Sequence, residues 1–411
     1  MKILVVHNQY QRQGGEDVVF DQERKLLESK GHKVVVYRRS NWEADSYDGV
    51  KRLVLVKKSI WASDSRREFA ALLRSEKPDV VHVHNTFVMI SPSIYSACRE
   101  ANVPVVLTLH NYRLLCPAAT FFRHGKICEE CTEHSLWRSI RHGCFHASRP
   151  ATAAVALMLA THRYLHTWDR DVTAYIALTQ FTRNKFVENG LPAEKVFVKP
   201  NFVYPDPMPG DGNGDYVLFA GRLTPEKRIS TMLVAWSHLH DRIPLMVIGG
   251  GPQLAELEKE ARDRGLNNIT FRGQLSREQT LDAMRHARFL VFSSEWYETF
   301  GMTMVESFAC GVPVVCSRLG AMQELVEDGR TGLHFTPGDA DDLAEKVEWA
   351  WNHPEVIRGL GKAARQEYEE KYTAEKNYPM LMNIYQSVMA AKALEPVQEP
   401  AQDYIDLNIE V

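Results

Sequence analysis

Short runs of residues that are apolar on both faces, each leading into a polar loop and then a helical pattern, recur along this chain. KILVVH (2–7), VVVY (34–37), DVVHVHN (79–85) and VPVVLTLHN (103–111) open the series. YVLFA (216–220), PLMVIGGG (244–251), NITFRG (268–273), ARFLVFSS (287–294), PVVCS (313–317) and GLHFTPGD (332–339) continue it. Strands without apolar–polar alternation are covered on both faces, which places them in parallel sheets flanked by helices. The fold class is therefore α/β. Between the two halves, YPDPMPGDGNGD (204–215) has the composition of a linker. A first domain over 1–203 and a second over 204–375 follow, with a last helix over about 374–393 and an acidic, Pro-containing tail at 394–411, expected to be disordered or an interaction tail.

A chain of 411 residues can bury two cores. Its formal net charge of −3 gives no footing for nucleic acid. MKILVVHNQY is too short an apolar run for a signal peptide, and ATAAVALMLATHRYLH (151–166) is broken by Thr161, His162 and Arg163, so no transmembrane helix is expected and the cytoplasm is the default compartment. Residues 51–75 mix basic and apolar side chains. They suit either an anionic membrane surface or an ordinary amphipathic helix with a solvated basic face.

Ligands of open parallel sheets bind beyond the carboxyl ends of the strands. Gly14-Gly15 falls there and can hold an anion or simply make a tight turn. His84, Asn85, His110 and Asn111 fall there too, and the neutral imidazole of His110 can hydrogen-bond a sugar hydroxyl or merely cap its strand. In the second half, Arg222 and Lys227 flank a turn and suit a pyrophosphate, or are two solvated charges. Gly250 lies in a Gly-Gly-Gly turn that allows close backbone approach by a nucleotide. SSEWYETFGMTMVESFACGVPVVC (293–316) is the richest stretch: a polar loop, a helix from about Met302, then a Gly-Val-Pro stop and a strand. Gly301 admits a ligand close to the backbone, and the unpaired N–H groups of the helix start favour a phosphate. Glu298 and Glu306 can accept from hydroxyls on either side of that phosphate, as on a sugar and a ribose, unless Glu306 is only a solvated helix residue.

Cys116, Cys128, Cys131 and Cys144 sit within 116–144, two of them as Cys-Glu-Glu-Cys. Seven cysteines without a signal peptide argue against a disulfide framework. The four leave open a structural zinc, with His134, His142 or His146 able to replace one thiolate, unliganded thiols, or redox chemistry.

Glu-x7-Glu enclosing Glu-x-Phe-Gly, followed by Ala-Cys-Gly-x-Pro-Val, resembles the donor-binding signature of the family-4 retaining glycosyltransferases. Gly14-Gly15, His110, the Gly-Arg-x4-Lys loop and the Gly-rich turn occur in that family's order. The resemblance implies the GT-B fold, two Rossmann-like domains facing across a cleft, with the final helix (376–393) crossing back to the first. It implies transfer of a sugar from a nucleoside diphosphate sugar to the hydroxyl of a sugar or lipid-linked acceptor, with retained configuration and no metal required, as in polysaccharide or glycolipid assembly. His110 and Glu298 would then meet the transferred sugar, Arg222 and Lys227 the leaving diphosphate, and Glu306 the ribose. Gly14, Gly15, Phe300, Gly301 and Met302 would lie along the donor, and Arg272 near the base. The Cys-rich stretch (112–148) is an insertion beyond the family's minimal pattern, where any zinc would be structural. A nucleotide-sugar epimerase and a non-catalytic sugar-nucleotide binder remain as rivals.

Overall fold

The computed structural model describes residues 1–11, 14–47, 49, 51–239 and 242–394. Arg12, Gln13 and all but the first residue of the expected tail thus lie outside the described residues. The first domain's strands are β1 (Lys2–Gln9), β2 (Lys33–Ser40), β3 (Val80–Val83) and β4 (Val105–Thr108), then a hairpin β5 (Phe122–Arg123) and β6 (Lys126–Ile127), then β7 (Ala174–Ala177) and β8 (Val196–Val198). The second domain's are β9 (Val217–Ala220), β10 (Leu245–Ile248), β11 (Ile269–Gly273), β12 (Phe289–Phe292), β13 (Val314–Ser317) and β14 (Gly332–Phe335). Two six-stranded sheets result, ordered β2-β1-β3-β4-β7-β8 and β11-β10-β9-β12-β13-β14. Every pairing in both is parallel. Strands β3, β4, β7, β9, β12 and β13 are buried throughout, as their doubly apolar sequences require.

Each sheet reverses its winding once, between β1 and β3 and between β9 and β12. Loops diverge at such switch points and leave a crevice at the carboxyl ends of the strands. The second crevice lies between the loop after β9, which carries Lys227, and the loop after β12, which carries Glu298.

The linker region 204–215 contains no helix or strand. Its second-domain side is pinned down, for Asp206 pairs with Arg365 at 2.7 Å and the Gly210 N–H donates to the Cys310 carbonyl at 2.9 Å. The final helix, Ala374–Leu394, packs back on the first domain. Its Tyr385 hydroxyl meets His82 Nδ1 at 2.7 Å, Tyr378 meets His32 at 2.8 Å, and the Asn377 side chain accepts from buried Lys199 at 2.9 Å. No described helix is long and apolar enough to cross a membrane. Residues 51–75 are two helices, Lys51–Ile60 and Ser63–Glu76, broken where Ser91 takes the N–H of buried Ala62.

Candidate active site

Lys227 ends a single 3-10 turn, Pro225–Lys227, after β9. Its ammonium sits over the Phe292 ring (4.8 Å) and pairs with Glu298 Oε1. The Ser294 hydroxyl (2.8 Å) and the Trp296 indole N–H (2.7 Å) donate to the same oxygen. Three donors converge on Oε1, so Oε2 keeps its lone pairs for a ligand. Both charged side chains are nearly buried, 12% and 8% exposed, where a charge pair interacts more strongly than in water. Arg222, by contrast, is 65% exposed, and its ion-pair partner among the described residues is Glu226 at 4.0 Å. The two cations are therefore not held together. One is held in a nearly buried pair, and the other is largely exposed.

The helix Met302–Ala309 begins at Gly301, whose φ of +88° is left-handed. A Cβ there would lie 2.4 Å from the Met304 methyl, so glycine is required on both grounds. No acidic residue occupies the first turn and no side chain caps it, which leaves its N–H groups open to an anion. Glu306, one turn on, accepts from Arg277 Nε at 3.2 Å. Burial raises its carboxyl above the ordinary value, and Arg277 pulls it part of the way back. Glu298 and Glu306 thus flank an open helix start, as the spacing suggested. Phe300 is different. It is 2% exposed and packs on Tyr372, so it supports the loop from beneath and cannot touch a ligand with its side chain.

Facing this from the first domain is His110. The Thr299 hydroxyl donates to its carbonyl at 2.9 Å, while Thr179 and Thr182 donate to the Thr299 carbonyl at 3.3 and 3.1 Å. These bonds staple the Glu298 loop to the opposite domain. The His110 ring meets His84, Nε2 to Nδ1, at 2.9 Å. Burial first, then His84, holds its pKa well below the ordinary histidine value, so the ring is neutral. His84, Asn85, His110, Asn111 and Arg113 line a cavity beyond the ends of β3 and β4.

Gly14 and Gly15 lie at the start of the helix Gly15–Ser29, and a Cβ on Gly15 would reach 4.0 Å from Met302 Cγ, so the glycine turn meets the second domain's helix start across the cleft. This turn, expected to hold an anion or simply to be tight, is capped from within its own helix. The Gly14 N–H is already taken by the Asp17 carboxylate at 2.8 Å, which places negative charge in the first turn. Glu16 is itself perturbed, raised to about 8 by burial and then by Asp17, and accepts from the Tyr10 hydroxyl at 3.3 Å.

Three further groups were singled out by the sequence: the Gly-rich turn with Gly250, Arg272 and the four clustered cysteines. Gly249 and Gly251 are required by the Arg222 loop, since Cβ atoms there would fall 1.8 Å from the Gly221 carbonyl and 2.2 Å from that of Leu223, and a Cβ on Gly250 would press on Gln274 at 3.1 Å. Gly249 and Gly251 thus let the loops after β9 and β10 pack backbone to backbone. Arg272 stands exposed at the end of β11, and the arginine joined to Glu306 is Arg277. Cys116, Cys128, Cys131 and Cys144 are free thiols that do not converge on a common ion; among the described residues the one group within such reach is Glu23, His82 and His84. That group has its cation already, the Lys199 ammonium 3.1 Å from Glu23. Burial first, then the neighbouring thiols, raise Cys131 to about 12 and Cys144 to about 11. The insertion is ordered instead by Arg123 with Glu130 and by Lys185 with Glu129 at 2.9 Å.

Residues 13–206 match the model of Glycosyltransferase Family 4, and residues 207–367 that of Glycosyl transferases group 1. This chain belongs to the group 1, family-4 glycosyltransferases. It is 29% identical over 181 residues to O-antigen chain mannosyltransferase C of Escherichia coli, a match covering 44% of this chain but only 48% of that protein, about half its length. Glycogen synthase of Mycobacterium tuberculosis is 27% identical over 337 residues, 80% of this chain and 72% of that one. Among solved structures, HepE from Anabaena, in complex with UDP and glucose, superposes with a TM-score of 0.66 at 18% identity, covering 96% of this chain and 99% of that one. Sucrose-phosphate synthase from Thermosynechococcus elongatus gives 0.71 at 18% identity, covering 95% and 99%. These likenesses establish the GT-B fold.

Thr299, Arg277, Glu16 and Glu23 escaped the sequence reading. Thr299 lies inside the glutamate motif and was within reach; Arg277 meets Glu306 only through the fold.

Proposed function

We propose that this family member transfers a glycosyl unit from a nucleoside diphosphate sugar to an acceptor hydroxyl with retention of configuration. One observation carries the reading. Glu298, with a free carboxylate oxygen, and Lys227, an anchored cation, stand at the open start of the Met302 helix, directly across from His110. The diphosphate would lie against that helix start, with the ribose hydroxyls on Glu306. Lys227 and the exposed Arg222 would neutralise the charge that builds as the glycosyl–oxygen bond breaks, and positioned charge of this kind commonly contributes more to catalysis than any other effect. Glu298 Oε2 would accept from a sugar hydroxyl, and His110 would hold the sugar from the acceptor side. The acceptor oxygen would attack the face the diphosphate leaves, its proton passing to the departing phosphate oxygen. No protein nucleophile and no metal is needed in this scheme. The HepE complex makes a uridine diphosphate sugar the first donor to test.

Lys227→Ala tests the reading. Transfer should fall by about 100-fold or more, while circular dichroism shows a folded protein. Turnover at the wild-type rate would remove the leaving-group role.

An acceptor at a membrane surface accords with the helices Lys51–Ile60, Trp137–His142 and Arg149–Tyr164, which pack together. Leu53, Trp137, Leu157 and Tyr164 are 71, 70, 54 and 83% exposed, beside exposed Arg52, Lys57, Arg138 and Arg163. Apolar side chains among cations suit anionic lipid. The protein should float with liposomes containing phosphatidylglycerol and less with neutral ones; remaining with the unbound fraction in both would exclude this surface.

A further inference from the structure

We propose that Glu23 and His84 are positioning residues for His110: a buried line from carboxylate to imidazole to imidazole fixes the proton on His110 Nε2 and leaves Nδ1 as an acceptor for a donor-sugar hydroxyl. This rests on the transferase reading, which sets His110 against the sugar.

Glu23 comes from the helix Gly15–Ser29 and is 2% exposed. Burial alone would raise its carboxyl, but Lys199 and His82 outweigh that and hold it well below the usual range. Oε2 takes the Lys199 ammonium at 3.1 Å. Oε1 is buried and has no aligned donor, although His82 Nδ1 lies 2.8 Å away and His84 Nε2 3.4 Å away. Both nitrogens of His82 are engaged by hydroxyls, Tyr385 and Thr108, each at 2.7 Å. A carboxylate oxygen accepts from more than one donor, so His84 Nε2–H can serve Oε1 whichever nitrogen of His82 carries its proton.

The tautomers follow in sequence. Burial, then His82, lowers the His84 pKa to about 4, so the ring carries one proton near neutrality. A bare lone pair on Nε2 facing a carboxylate would be repelled, which puts that proton on Nε2. His84 Nδ1 is then an acceptor, and the nitrogen 2.9 Å from it, His110 Nε2, must donate. Since His110 is also neutral, its Nδ1 is bare. The final helix joins this line through Tyr385, and through Asn377 on Lys199.

Histidine-15N-labelled full-length protein, without donor, gives the direct test. Long-range proton–nitrogen spectra, with the His110 signals assigned by their loss in His110→Asn, should show His110 and His84 as Nε2–H tautomers. A His110 in the Nδ1–H form, or a tautomer average, would overturn the proposal. The second arm is Glu23→Leu/Lys199→Met, which removes both charges so that neither is stranded. Its His110 signals should average between tautomers. Its kcat should fall roughly three- to tenfold, one net hydrogen bond's worth, with donor KM within about twofold. An unchanged kcat, or equal losses in kcat, KM and melting temperature, would reduce Glu23 to a structural residue. Wild-type transfer by His110→Asn would instead undo the transferase reading at this residue, and would leave the tautomer measured in wild type standing.

Discussion

Lys227 and Glu298 stabilise each other in a nearly buried pair, so each substitution there has two effects that must be separated. Removing one partner strands the other's charge, at a cost of about 3 kcal/mol. Lys227→Ala should therefore melt lower than wild type as well as lose transfer. Lys227→Met/Glu298→Gln should recover most of the melting temperature and none of the activity, measured by differential scanning fluorimetry beside a transfer assay. Recovery of both would mean the pair serves the fold alone. Glu16 gives a pH signature. Its carboxyl holds its proton to about 8 in the folded protein against 4.5 ordinarily. Between those values the native state binds a proton that the unfolded chain has released, so stability is greatest below the lower value and declines as pH rises through the upper one. Glu16→Gln should flatten that decline in urea titrations across this range. The same decline in wild type and variant would acquit Glu16. At this level the sequence named Glu298, Glu306, Lys227 and His110 because each sits in a motif of polar residues at a strand's end. It could not name Arg277, or show that Asp17 already fills the Gly14 turn, because those pairings are made by the fold.

The helix Met302–Ala309 owes its open start to Gly301. Gly301→Ala would add both a left-handed strain of roughly 1–2 kcal/mol and a contact with Met304 that must give way. The expected outcome is a lower melting point and a loss of nucleotide binding larger than the stability change explains. Retention of full nucleotide affinity would mean the ligand does not approach this helix start. Element recognition from sequence was strong where strands are buried on both faces, since β3, β4, β9 and β12 cannot be read otherwise. It failed in the Cys-rich insertion, where two-residue strands and helices of four and six residues leave no period to detect. There the cysteines left a metal, unliganded thiols or redox chemistry open, and ion pairs and the Tyr112–Phe121–Phe186 ring cluster contribute order. The three glycines after β10 implied close backbone approach, and at Gly249 and Gly251 the approaching atoms belong to the neighbouring loop.

Taken whole, the molecule is two parallel-sheet domains whose switch-point crevices face each other, joined by a linker and by a final helix that returns to the first domain. The Glu298 loop bridges them through Thr299, so the proposed ligand contacts and the interdomain contacts share a few residues. Opening and closing of the cleft would therefore make and break the Thr299 bonds, which couples donor binding to exclusion of water. Two domains and a returning helix were legible from the alternation of elements and the family resemblance; the polar line from Tyr385 through Glu23 to His110 was not, because it joins residues far apart in sequence through burial alone. A thermal-shift titration of wild type and Glu306→Ala against UDP, GDP, ADP and their sugars puts the donor site to the most direct test, because a ligand of the native state raises its melting temperature by mass action. One nucleotide should raise the wild-type midpoint, with a clearly smaller rise in Glu306→Ala. No shift in either protein with any nucleotide, or equal shifts in both, would contradict a donor site at the Met302 helix.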